Sequence, residues 1–154
     1  MIAAIRPDDQ SFALLLHLVG ATVVFGALLT SATSIVLARG DTRLLRLGYF
    51  SLLLVGLPGL ILLRLAGQWL YQLQDWDKLP PQIDEPSWLG VGFIVADGGG
   101  VLFLLALALG GIGVRRLGSD KGGAAMLLKA TMAISLILTV AYVVAVWAMT
   151  GKPN

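Results

Sequence analysis

The stretch Trp88–Arg116, WLGVGFIVADGGGVLFLLALALGGIGVRR, constrains the chain more than any other. It is apolar for long enough to cross a bilayer, because about 20 residues rising about 1.5 Å each cover a hydrocarbon core of about 30 Å. Yet it carries a carboxylate: Asp97 lies about nine residues in from Trp88, a depth at which an unpaired charge costs at least a few kcal/mol, so another span must supply a partner. Gly98, Gly99 and Gly100 follow it and are expected to let other backbones approach closely, and to open or bend the helix locally.

Three further apolar runs surround this one. The first, about 11–37, follows a short polar tail in which Asp8 and Asp9 offset Arg6, and it is too long and too acid-balanced at its leading edge for a cleaved signal peptide. Thr22, Gly26, Thr30 and Thr33 recur along it at helical spacing and predict a close helix contact. The second, about 44–71, contains Pro58, which lacks a backbone donor and is expected to kink the helix, with Arg64 and Gln68 one turn apart beyond it. Trp69 and Tyr71 mark an interface. The third is 88–114. The fourth, about 124–149, carries Thr131, Ser135, Thr139 and Tyr142 at steps of three and four, a polar stripe on one face.

A chain that is 57% hydrophobic and 13% charged belongs to the membrane class, and the expected architecture is all-α: one domain, 1–154, folded as a four-helix transmembrane bundle. The formal charge of +2 is too small and too dispersed for a nucleic-acid footprint. With no cysteine and a single histidine, neither a thiolate nor a multi-histidine metal site can be built within one chain. The absence of cysteine also excludes a nucleophilic thiol, and no catalytic residue is assigned. Residues 72–87, QLQDWDKLPPQIDEPS, form the one sizeable acidic loop, either a lid over a site or a passive connector with Trp76 on the lipid surface.

Basic residues set the orientation. Arg39, Arg43, Arg46, Arg115, Arg116, Lys121 and Lys129 fall on one side of a four-span chain, against Arg6, Lys78 and Lys152 on the other. The first side is therefore expected to be cytoplasmic, and both termini and the acidic loop to lie outside a plasma or inner membrane.

Counted from that outer boundary, His17, Arg64, Asp97 and Tyr142 all fall about 9–13 Å deep at helical rise, each on a different span. Ionisable groups inside membrane helices usually face the bundle and pair, so these four are expected to form a buried polar cluster with Arg64 and Asp97 as its ion pair. The pair would either lock the helices together or serve a ligand or proton path. His17 is the candidate cofactor ligand, with haem as the cofactor and Met149 nearer in depth than Met132 for a second ligand.

The first span, LLLHLVGATVVFGALL, in which His17 precedes a small residue three positions on and a Phe25-Gly26 pair, resembles the opening helix of small bacterial four-helix membrane proteins. These include a family of predicted integral membrane proteins, the copper-resistance-D-like proteins and the HemJ-type protoporphyrinogen oxidases. The resemblance covers this helix and the four-span plan, and it implies a cofactor or metal role for His17.

The expected function is that of a small multi-pass membrane protein, an accessory, assembly or binding subunit rather than an enzyme, in contact with lipid and in a homo-oligomer or larger membrane complex. The competing expectations are a transport or proton-relay element working as an oligomer, and a haem-binding redox protein using His17. The orientation is checked by cysteines placed at Thr42 and Gln82, which are expected to label from opposite sides of an intact membrane. Labelling from one side refutes the arrangement.

Overall fold

In hydrocarbon every backbone N–H and C=O must find its partner inside the chain, which leaves the helix as the economical way for a short chain to span. A computed structural model describes residues 8–78, 87–119 and 122–151. Among them every regular element is helical: α1 (Asp8–Leu37), α2 (Thr42–Phe50), a π-helical turn (Ser51–Gly56), α3 (Leu57–Leu73), a short 3-10 turn (Trp76–Lys78), α4 (Ser87–Arg116) and α5 (Ala124–Gly151). Since α2, the π turn and α3 run on without a break, four helices are long and apolar enough to cross a membrane. Leu54, Leu65, Ile94, Val101 and Met126 stand largely exposed on their outer faces, as a lipid-facing surface requires. The chain is thus a multi-pass membrane protein by architecture.

The helices pack in the order α3, α1, α5, α4 around the bundle. A core of Val24, Leu28, Leu52, Phe103, Ala106, Leu138 and Tyr142 fills its centre. At the basic end, Arg39 and Gly40 take left-handed backbone conformations and make a tight turn, and Asp41 caps α2 by accepting a 2.8 Å hydrogen bond from the Arg43 backbone N–H. The stripe on α5 faces inward: Thr131, Ser135 and Tyr142 are buried, and the Thr131 hydroxyl donates to the Leu127 carbonyl at 3.0 Å.

Pro58 cannot donate to the carbonyl four residues back, and the structure shows how the helix absorbs this. The backbone widens into the π turn just ahead of it, where the Leu57 N–H reaches the Leu52 carbonyl, one residue further than in an α-helix. Ser51, at the start of that turn, donates to the Gly48 carbonyl at 2.8 Å.

Two expectations fail. Gly98–Gly100 neither breaks nor interrupts α4, whose helix runs through them, and a Cβ on Gly98 or Gly100 would meet nothing within 4 Å. Lowered propensity is not enough to open a helix in hydrocarbon, where a freed backbone group has no water to bond. Nor do Thr22, Gly26, Thr30 and Thr33 make a helix contact; they are exposed, and each threonine hydroxyl donates to the carbonyl four residues earlier in its own helix. The contact face of α1 is instead the one carrying Gly20, Val24, Ala27 and Ser31.

At Gly20 α1 packs directly on the α3 backbone, since a Cβ there would stand 2.7 Å from the Leu63 backbone nitrogen. Gly20→Val is therefore expected to cost about 1–3 kcal/mol through overpacking. Gly100→Ala, which adds its methyl to open space, is expected to be neutral or to stabilise by about 0.5–1 kcal/mol. Denaturant unfolding of both variants in detergent micelles measures the difference.

Candidate functional site

The second span and α4 do not run side by side along their whole length. At the basic end α2 packs against α4, with the Tyr49 ring over Gly110 and Gly111. Next along the seam, the Phe103 ring sits where a Cβ on Gly56 would come within 2.8 Å. Beyond that level the backbones of α3 and α4 scarcely approach, and only side chains bridge them. The bridges form a ladder towards the acidic loop: Arg64 to Asp97, then Tyr71 edge-on to Phe93 with ring centroids 5.3 Å apart, then Trp76 edge-on to Trp88 at 6.0 Å.

This divergence opens a wedge-shaped cavity of about 290 Å³. Its back wall is α1, with Leu14, His17 and Ala21; α3 contributes Leu63, Arg64 and Gly67; α4 contributes Gly92, Phe93 and Ala96; and α5 contributes Tyr142, Ala145 and Met149. Trp76 and Trp88 line the end nearest the loop. The walls are mainly apolar, with a few polar groups among them, the composition usual for a small-molecule site.

His17 is placed by Gly67, where a Cβ would press within 3.2 Å of the imidazole Cε1 and Nδ1. Its Nδ1 is buried and has no hydrogen-bond partner among the described residues. Tyr142, on the polar stripe of α5, is 7% exposed and meets the same cavity.

Arg64 and Asp97 lie together, Nη2 to Oδ1 at 2.7 Å. The pair is not buried in the bundle as expected: its side chains are 45% and 60% exposed, because it spans the seam where α3 and α4 have parted. Arg64 lines the cavity and Asp97 does not. Of the four sequence candidates, then, His17, Arg64 and Tyr142 share the cavity, and Asp97 reaches it only through Arg64. Among the described residues no group of three or more metal-ligating side chains comes together.

Sequence reasoning missed the aromatic ladder. The usable signal lay in the pairing of aromatics across the loop: Tyr71 near the end of α3 and Trp76 in the turn after it meet Phe93 and Trp88 on α4 in reverse order. Gly67, which makes room for His17, carried no signal beyond its place one turn from Arg64. Asp84 and Glu85 of the acidic loop, with the lid they were expected to supply, lie outside the described residues.

No protein-family model, curated protein or solved structure matches this chain.

Removing one member of the ion pair leaves the other uncompensated at membrane depth, which costs about 2.5–3.5 kcal/mol on insertion scales. Arg64→Leu and Asp97→Asn are each expected to destabilise the bundle by that order, and the double change Arg64→Leu with Asp97→Leu by clearly less. Thermal unfolding of the three variants in micelles measures it; a double variant as unstable as the sum of the singles would show that the two groups do not act as a pair.

Proposed function

We propose that this protein is a membrane-embedded binding subunit whose cavity takes one small amphiphile drawn sideways from the bilayer. The observation that carries the reading is the wedge between α3 and α4: an apolar space of about 290 Å³ with His17, Arg64 and Tyr142 on its walls, separated from lipid along the seam by side chains rather than by packed backbones. A molecule dissolved in the bilayer can reach such a space by side-chain rotation alone, without unfolding a helix. The volume lies near the lower end of small-molecule sites, about 300–1,000 Å³, and fits one chain or a small ring system.

Trp76 and Trp88 on the cavity wall provide the readout. Bromododecanol, whose bromine quenches indole emission on contact, is expected to quench the purified protein saturably. Ala96→Phe, which fills the cavity from α4, is expected to abolish the saturable part and leave helix content unchanged. Quenching that is linear in both proteins is partition into the micelle and refutes the site. The absorbance of the same preparation tests haem on His17: a Soret band would assign the cavity to that cofactor instead.

A further inference from the structure

We infer that the amphiphile carries an anionic head, a carboxylate or phosphate, and that Arg64 receives it. This rests on the binding reading above and adds the chemistry of the head.

The argument is one of charge placement. Among the described residues lining the cavity Arg64 is the one Lys, Arg, Asp or Glu. Asp97 neutralises Arg64 from the seam, outside the cavity wall. The contact it makes is a single one, Nη2 to Oδ1, whereas a guanidinium presents five N–H donors in a fork that matches two oxygens of a carboxylate or phosphate. Donors therefore remain for a second anion on the cavity side. The ion pair is also half exposed, so Arg64 is not walled in by protein as a purely structural arginine would be. A cationic head would meet repulsion here, and a neutral head would leave the guanidinium donors unanswered in an apolar space. Tyr142 stands on another wall, where its hydroxyl can add a hydrogen bond to the head. Asp97 then competes with the ligand for one cation.

The test titrates the whole protein, in a neutral detergent, with dodecanoate, dodecyl phosphate, dodecanol and inorganic phosphate, following tryptophan emission. Both anionic amphiphiles are expected to bind at least about tenfold more tightly than dodecanol, the difference expected of one hydrogen bond to a charged group. Inorganic phosphate alone is expected not to bind. R64Q should abolish the preference of the two anions over dodecanol measured on the same variant, and R64K, which keeps the charge and loses the fork, should retain part of it. D97N should bind dodecanoate more tightly than the natural protein, and dodecanoate should raise its melting temperature by more, because the ligand's carboxylate replaces the missing one. Equal affinity for dodecanol and dodecanoate, or a preference that survives R64Q, overturns the inference and leaves the amphiphile site standing. Binding of no amphiphile overturns both readings, and inorganic phosphate that competes as well as dodecyl phosphate makes this a free-anion site. If R64Q does not fold, the ligand comparison on the natural protein and the D97N melting shift decide.

Discussion

Helices in a bilayer gain nothing by expelling water from between them, so they hold together only where backbones come close enough for dispersion contacts or where polar side chains meet. Between the second span and α4 this chain divides the two devices by depth. At the basic end and through the middle of that seam it uses close approach: Gly56 beneath the Phe103 ring, Gly110 and Gly111 under Tyr49. At the other end α3 and α4 part, and the ladder of Arg64–Asp97, Tyr71–Phe93 and Trp76–Trp88 holds them at side-chain length. The cavity is the space that this second device leaves.

The ion pair does more for specificity than for net stability. Bringing a guanidinium and a carboxylate out of water costs about as much as their attraction returns, whereas separating them in hydrocarbon costs several kcal/mol. That asymmetry fixes register: a rotation of α3 or α4 that withdraws either group is penalised, while rotations of purely apolar faces are nearly free. The aromatic rungs above add area and edge-to-face geometry, which tolerate small shifts.

How much of this was legible depended on what kind of signal each residue sends. Apolar length and the positions of the basic turns specified four helices, and the structure has four. Depth counted from the span ends placed Arg64 and Asp97 at matching heights because helical rise is fixed, and they lie 2.7 Å apart. Which way the pair faced could not be counted, since azimuth depends on how the helices splay. For the same reason Thr22, Thr30 and Thr33 misled: a hydroxyl at helical spacing marks a face, but each of these closes onto its own helix and needs no neighbour. The glycines show the limit most plainly. Gly20 and Gly56 leave no room for a Cβ without a shift of the neighbour, Gly98 and Gly100 face open space, and nothing local distinguishes the two kinds.

The π turn links Pro58 to the site. One residue inserted into a helix turns everything beyond it by about 100°, the angle per residue at 3.6 residues per turn. Ser51–Gly56 lies between the part of the second span that packs on α4 and the part that diverges from it. Had the helix continued as α through Gly56, the face of α3 bearing Arg64, Gly67 and Tyr71 would be rotated by that angle. Arg64 would lose its approach to Asp97, and Gly67 would no longer make room for His17. Proline is what makes the wider turn acceptable, because the donor it lacks is the one an α-helical continuation would have used. The constraint that reads in the sequence as a kink thus serves, in three dimensions, to aim one face of α3 into the cavity.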